Sequence, residues 1–239
     1  GAGIAQVAAQ FGHFVILYDG AEGAADKGMD IIIDGLGKLV KRGRITQQRL
    51  NEIVSKIRLV KDINEIAPAV LVIEAIIENM EVKQKLFSQL ENICSDKTIF
   101  ATNTSSLSVT ALASRLKHPG RFLGMHFFNP APVMKLVEVV SGLTTETEVA
   151  KTIHATASAW GKQAVHVKST PGFIVNRVAR PFYAEAMRVL LEQAADVPTI
   201  DAVIKESGGF KMGPFELMDL IGNDVNYAVT SSVFDAYFG

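Results

Sequence analysis

The chain has 239 residues, and 48% of them are hydrophobic, which is enough to fill the core of a large domain with a smaller companion. Its 24 basic residues balance 25 acidic ones, so the formal net charge of -1 supplies no field for nucleic acid or an anionic membrane. Cys94 is the only cysteine, which excludes an internal disulfide and a cysteine-rich metal site and favours a reducing, cytoplasmic setting. We therefore expect no metal site, no nucleic-acid partner and no membrane partner.

The first residues have the pattern of the second half of a dinucleotide-binding βαβ unit. The segment Gly1 to Phe11 has helical spacing of its apolar residues, and a short β-rich run after it ends at Asp19. An acidic residue at the end of that strand binds ribose hydroxyls and repels a 2′-phosphate, which favours NAD over NADP. The alternative is that Asp19 is a turn residue. The glycine fingerprint is incomplete, because the sequence contains no strand or glycines ahead of Gly1.

Two helical patterns come next, from Met29 to Val40 and from Thr46 to Ile57. The first ends in a basic cluster that contains Lys41 and Arg42. Such a cluster is usually a solvated helix end, and it can also hold a phosphate. Thr46 has no acidic residue three positions later, so a capping box is not predicted.

A continuous β-branched run, Ala69 to Ile76, predicts a buried parallel strand with Glu78 just beyond its carboxyl end. Open α/β sheets bind ligands at that edge. The helix that follows carries Lys83 in its first turns. This lysine either neutralises a phosphate or pairs with neighbouring glutamates.

Two further predicted strands also end in polar residues. Asn103 and Ser105 follow the strand Thr98 to Thr102, where serines are most often helix caps. His126 lies at the end of the run Phe122 to Phe128. Because the carboxyl ends of parallel strands share one edge of a sheet, we expect these side chains and Glu78 to converge.

His126 and Glu138 lie on two strand-like runs that are joined by a bend containing Asn129, Pro130 and Pro132. An imidazole beside a carboxylate is a general base with an orienting partner, which suits removal of a proton from an alcohol. A charged residue inside an apolar run should face a partner rather than the core. The alternative is a salt-bridged strand residue near an unrelated histidine.

The alternation of strands and helices stops near Lys168, and only helical patterns follow. One long pattern, Gly172 to Gln193, contains Pro181, which must kink or split the helix. Shorter helices are predicted at Thr199 to Ser207 and Pro214 to Ile221. The predicted fold is an α/β, Rossmann-like sheet domain (residues 1–168) that lacks its first strand, followed by a smaller helical domain (residues 169–239).

The whole pattern resembles the NAD-dependent L-3-hydroxyacyl-CoA dehydrogenases, including the bacterial 3-hydroxybutyryl-CoA dehydrogenases. The matching stretches occur in family order over nearly the whole chain and are far more specific than a glycine fingerprint: GAGIAQVAAQFGH, VIEAIIENMEVKQKLF, TNTSSLSVT, HFFNPAPVMKLVEVV, TPGFIVNR and GGFKMGPFELMDLIG. The resemblance implies reversible oxidation of a (3S)-3-hydroxyacyl-CoA with NAD as cofactor, a reaction of fatty-acid β-oxidation. It also implies a homodimer formed through the helical domain.

The resemblance also implies roles for individual residues. His126 and Glu138 correspond to the family's catalytic pair, while Ser105 and Asn176 contact the 3-oxygen region of the substrate. Lys41 or Arg42 corresponds to the family's contact with the CoA phosphates, and the resemblance also implies that Lys83 and Ser105 belong to the site of the CoA substrate. The residues that it implies for the cofactor site are Gly1, Asp19, Glu78, Lys83, Asn103, Ser105 and Asn129.

Two departures from the family pattern are expected to matter. The family's first strand and diphosphate loop would precede Gly1, and a helical portion would follow Gly239, so we expect a fragment that by itself binds NAD poorly. Two rival functions stay open: a related sugar-acid dehydrogenase of the lens-crystallin branch, and a non-catalytic dinucleotide-binding or structural relative.

Overall fold

The structure, a computed structural model, describes residues 1–238, with side chains described for residues 1–237. It divides into a first unit, Gly1–Ser169, and a second unit that begins at Thr170. Among the described residues, no helix is long and apolar enough to cross a membrane. The strands are β1 (Val15–Tyr18), β2 (Ile57–Val60), β3 (Leu71–Glu74), β4 (Ile99–Thr102), β5 (Phe122–Phe127), β6 (Leu136–Ser141) and β7 (Gln163–Lys168). The helices of the first unit are α1 (Ala2–Gln10), α2 (Ala24–Lys41), α3 (Gln47–Val54), α4 (Met80–Ile93), α5 (Val109–Ala113) and α6 (Thr147–Ala159).

The strands of the first unit form two groups. β1 pairs in parallel with β2, and β3 to β7 form a five-stranded sheet in chain order. Within that sheet β5 and β6 are antiparallel, and the other neighbours are parallel. A cavity of about 1190 Å³ is lined by residues of β1, β3 and α1. In a doubly wound sheet the first strand lies at this position, between the second and fourth strands.

Helices cover both faces of the five-stranded sheet. On one face, residues of α1 and α6 pack against β4, β5 and β6 in a single buried cluster that includes Trp160. On the opposite face, the ring of Phe87 in α4 packs edge-on against Phe100 and Phe122, with centroid distances of 6.1 and 4.7 Å. Because successive strand residues point to opposite faces, each face of the sheet supplies its own set of core side chains.

The second unit contains α7 (Val175–Leu191), α8 (Val197–Glu206), α9 (Pro214–Ile221) and α10 (Asn223–Phe238). Helix α7 is continuous through Pro181, so of the two predicted outcomes, a kink or a split, the split does not occur. Its start is later than predicted, because Gly172 lies before it with a φ of 73°. A Cβ there would lie 2.9 Å from Val233 Cγ2, so the turn requires glycine. Helix α10 was not predicted.

Candidate functional site

His126 and Glu138 form a directly opposed pair. Strands β5 and β6 are antiparallel, and their register places His126 across from Glu138. Nδ1 of the imidazole lies 2.7 Å from Oε2 of the carboxylate. Glu138 is fully buried, and His126 is 6% exposed. The side chains that the sequence predicted to meet are therefore in hydrogen-bond contact, while their catalytic role stays a prediction.

The buried carboxylate determines which ring nitrogen of His126 acts as a base. An ionised Glu138 can only accept, so Nδ1–H donates to it and Nε2 becomes the proton acceptor of the neutral ring. When Nε2 takes up a proton, the carboxylate stabilises the resulting imidazolium. The site is close-packed, because a Cβ on Gly124, two residues earlier on β5, would lie 2.9 Å from Val140 Cβ. The pair therefore has fixed geometry and a defined tautomer.

Glu78 organises the turn that follows β4. Its Oε1 accepts hydrogen bonds from the Thr104 hydroxyl at 2.5 Å and from the Ser105 N–H at 2.9 Å. The Ser106 N–H and hydroxyl both lie 3.2 Å from the same oxygen. The polar ends of β3 and β4 thus converge as expected. The predicted use of these serines as helix caps is wrong, because Ser108 caps α5 through the Ala111 N–H.

The surroundings of Glu78 favour its charged form. Partial burial raises the pKa of this carboxyl, but the hydrogen bond from Thr104, the charge of Lys83 and the Ser105 N–H together bring the pKa below its ordinary value. Glu78 is therefore an anion at neutral pH, and it holds the loop that carries Ser105 in one conformation.

A second buried carboxylate was missed by the sequence analysis. Glu74, at the end of β3, accepts from the Lys83 ammonium at 2.6 Å and from the Thr102 hydroxyl at 2.7 Å. The side chain of Lys83 is only 1% exposed, and its Nζ also lies 3.4 Å from Glu78 Oε2. Of the two predicted uses of Lys83, the structure contains the pairing with glutamates. The available signal was a charged residue inside an apolar strand, the same signal that selected Glu138.

Asn103 connects this cluster to the histidine strand. Its Oδ1 accepts from the Phe127 N–H at 2.8 Å, directly beside His126. A cavity of about 190 Å³ opens here, and Gly1, Asn103 and Asn129 are among its lining residues. Three strand ends therefore meet at one edge of the sheet.

The residues at this edge fit a dinucleotide. Asp19 is exposed at the end of β1, and its Oδ1 accepts from the Ala21 N–H, so it is also a turn residue. The first turn of α1 contains Gly1 and Gly3, and a Cβ on Gly3 would lie 3.2 Å from Pro132 Cδ. Small residues at a helix N-terminus let a diphosphate approach backbone N–H groups. Their assignment to the adenosine ribose and the diphosphate stays a prediction.

Other predicted residues lie elsewhere in the chain. Lys41 and Arg42 are exposed at the end of α2, at a helix terminus that favours cations. Asn176 lies in the first turn of α7, in the second unit. Lys41 and Arg42 are not among the residues that bind Glu78 or Glu138, and the roles of these three residues stay predictions.

Family models match almost the entire chain. Residues 1–170 match the NAD binding domain of 3-hydroxyacyl-CoA dehydrogenase, and residues 172–239 match the C-terminal domain of the same enzymes. The match identifies the first unit as an NAD-binding domain, so the prediction of NAD as cofactor is confirmed. The α/β sheet domain followed by a helical domain is confirmed as well.

Individual proteins give the same result. The chain is 53% identical over 238 residues to the 3-hydroxyadipyl-CoA dehydrogenase of Escherichia coli K12, covering all of this chain and 50% of that protein. A crystal structure of 3-hydroxybutyryl-CoA dehydrogenase from the same organism has a TM-score of 0.97 at 53% identity, over 99% of this chain and 50% of the other. The chain thus spans half the length of these two relatives.

A further solved structure is matched over more of its length. The (S)-3-hydroxybutyryl-CoA dehydrogenase of Ralstonia eutropha has a TM-score of 0.97 at 36% identity, and the match covers 100% of this chain and 84% of that one. The two family models, matched by residues 1–170 and 172–239, and these relatives bear out the resemblance. The chain belongs to the 3-hydroxyacyl-CoA dehydrogenase family.

Proposed function

We propose that the protein catalyses the reversible, NAD-dependent oxidation of a (3S)-3-hydroxyacyl-CoA to the 3-ketoacyl-CoA. The observation that carries this proposal is the buried contact of 2.7 Å between His126 Nδ1 and Glu138 Oε2, at the edge where the polar strand ends meet. Oxidation of an alcohol requires a base for the hydroxyl proton. This pair is a base with its tautomer already set.

The residues of the pair have distinct tasks. Nε2 of His126 takes the proton from the 3-hydroxyl group while Glu138 stabilises the imidazolium. NAD, when bound, accepts the hydride from carbon 3. In the reverse direction the imidazolium returns its proton to the carbonyl oxygen, and Glu138 keeps Nδ1 protonated throughout.

Ser105 and Asn176 orient the oxygen on carbon 3. Both can donate a hydrogen bond to the carbonyl oxygen as it develops, which lowers the barrier if the donors are already in place. For Ser105 the support is its turn, which is fixed by the N–H contact of 2.9 Å with Glu78. For Asn176 the support is its place in the matching TPGFIVNR stretch.

The cofactor and the CoA moiety have separate binding residues. Gly1, Asn103 and Asn129 hold NAD, because they line one cavity. Asp19, exposed just beyond β1, and Glu78, which binds the turn after β4, complete the cofactor site. Lys41 and Arg42 bind the CoA phosphates as exposed cations. Lys83 contributes indirectly, since its buried ammonium is engaged by Glu74.

We also propose that the protein forms a homodimer through its helical unit and is located in the cytoplasm. Several large apolar side chains of the second unit are well exposed, among them Val178 at 66%, Leu191 at 81% and Leu220 at 70%. Apolar side chains of this size are available for burial between two copies of the chain. Sedimentation analysis should give the mass of a homodimer; a monomer at micromolar concentration would contradict this part.

The decisive assay measures NADH absorbance with acetoacetyl-CoA as substrate. We expect NADH to be oxidised by the full-length wild-type protein and not by full-length His126→Gln, whereas inactivity of the 239-residue form alone would show that segments outside it carry part of the cofactor site. Arg115→Gln, which changes a side chain outside the candidate site, is the matched control and should retain activity. If NADH is not oxidised, the sugar-acid and non-catalytic alternatives become the better explanations. Binding of NADH without turnover would then favour the non-catalytic alternative.

A second candidate substrate is a six-carbon acyl chain with a terminal carboxylate. A 3-hydroxyadipyl-CoA dehydrogenase and a solved 3-hydroxybutyryl-CoA dehydrogenase are each 53% identical to this chain, so both acyl groups are candidates. The comparison to make is kcat/KM for 3-hydroxyadipyl-CoA against 3-hydroxybutyryl-CoA. A ratio above about 10, the discrimination that one well-placed charge contact provides, supports the dicarboxylic substrate; a ratio below one removes it.

A further inference from the structure

We propose that Lys162 is a positioning residue for the cofactor site, because its ammonium holds the loop of residues 128–135 against the first turn of α1. The inference rests on the proposed function for its kinetic part only. Lys162 lies between α6 and β7, and this loop connects β5 to β6.

The ammonium binds two carbonyl groups of the 128–135 loop. Nζ donates to Ala131 O at 2.5 Å and to Met134 O at 2.9 Å. Within the loop, the N–H groups of Val133 and Met134 donate to Pro130 O at 2.9 and 3.0 Å, which forms one tight turn. The carbonyls of such a turn point away from it and need donors from elsewhere. Lys162 supplies these donors.

The opposite side of the loop forms one wall of the site. A Cβ built on Gly3 would lie 3.2 Å from Pro132 Cδ and 3.4 Å from Ala131 Cβ, so the loop touches the first turn of α1. Asn129 and Ala131 line the cavity of about 190 Å³ together with Gly1 and Gly3. A loop that moved away would therefore open the cavity on the side of the helix N-terminus.

The chemistry of Lys162 suits this task. Charge-assisted hydrogen bonds are stronger than neutral ones, and two of them on one ammonium fix both ends of the turn. Desolvation by partial burial lowers the pKa of the ammonium, in keeping with its position behind the loop rather than in open solvent. Lys162 touches no reacting atom, so its loss should weaken cofactor binding more than the chemical step.

Amide hydrogen exchange of the 239-residue chain tests the contact directly. In Lys162→Met we expect the amides of Val133 and Met134 to exchange at least about tenfold faster than in wild type, the size of effect that follows from losing charged hydrogen bonds. Lys162→Arg should restore part of the protection. The matched control is Lys151→Met, which removes an exposed ammonium paired with Glu148 on α6 and should leave both amides unchanged. Unchanged exchange in Lys162→Met overturns the proposal.

Steady-state kinetics test the consequence for the site. We expect Lys162→Met to raise the KM for NADH by about tenfold while kcat changes less than about threefold, with partial rescue by Lys162→Arg. Faster loop exchange with an unchanged KM overturns the positioning role. If the wild type does not oxidise NADH, the proposed function fails, whereas the exchange experiment still decides whether Lys162 holds the loop.

Discussion

Two strands of the first unit each bury a carboxylate that is bound to a basic side chain, and the two pairs differ in the base. Glu74 on β3 binds the ammonium of Lys83 at 2.6 Å, and Glu138 on β6 binds the imidazole of His126 at 2.7 Å. Both carboxylate side chains are fully buried. The environments are alike, so the identity of the base determines what each pair can do.

An ammonium can only donate hydrogen bonds, and the Glu74 pair also includes the hydroxyl of Thr102. It is a fixed link between β3, β4 and α4. An imidazole has a second ring nitrogen, so in the Glu138 pair Nδ1 can stay bound to the carboxylate while a proton is taken up at Nε2. The Glu74 pair thus links three elements of the fold. The Glu138 pair, in contrast, includes a ring with a second nitrogen that is suited to proton transfer.

The largest effect is expected for His126→Gln. The variant keeps a hydrogen-bonding side chain opposite Glu138 but removes the base, so turnover of acetoacetyl-CoA should fall by about 10³- to 10⁴-fold. The Kd for NADH, measured by fluorescence titration, should change little. Retained turnover would remove His126 from the role of base and make the two pairs equivalent.

Glu74→Gln tests the fixed pair. It leaves the buried Lys83 ammonium without its main counter-charge, and we expect the free energy of unfolding to fall by about 3 kcal/mol in urea titrations. The double variant Glu74→Gln, Lys83→Met should be more stable than the single one, because no buried charge remains. A single variant as stable as wild type would show that Glu78, which lies 3.4 Å from Lys83, suffices as counter-charge.

Glu138→Gln sharpens the difference between the pairs. The amide preserves the shape of the carboxylate but not its charge, so the imidazolium is less stable and kcat should fall by about 100-fold. The KM for acetoacetyl-CoA should be nearly unchanged. If kcat stays at the wild-type value, Glu138 has only the structural role that Glu74 has.

The smallest effect concerns Glu78, which is only partly buried. Its pKa is below the ordinary value of 4.5, so its contribution to stability is complete above pH 4.5 and is lost as the pH falls through the lower, folded-state pKa. Solvent screening limits that contribution to less than about 1 kcal/mol. The stability difference between wild type and Glu78→Gln should therefore shrink from pH 7 to pH 3. A difference that is constant over this range would show that the charge of Glu78 does not support the turn.

Patterns along the chain were sufficient for most strands and for the change to a helical region, because buried parallel strands are continuous apolar runs. They were insufficient where a role depends on a residue from another element. Glu74 was missed because its partners, Lys83 and Thr102, come from α4 and β4. Ser108 caps α5, whereas Ser105 and Ser106 bind Glu78, which comes from a distant part of the sequence. Helix α10 has no strong apolar periodicity, so nothing in its local sequence marked it.

The antiparallel pairing of β5 and β6 has a consequence for folding fidelity. Side chains alternate between the two faces of a sheet, so sliding one strand by a single residue would turn Glu138 to the face opposite His126. Such a molecule would keep its secondary structure and much of its core and yet have no proton acceptor pair. Val137 and Val139, the neighbours of Glu138 on β6, are buried on the other face of the sheet. The same slip would move them to the face that carries His126. The hydrophobic pattern of these two strands thus favours the register in which His126 lies opposite Glu138.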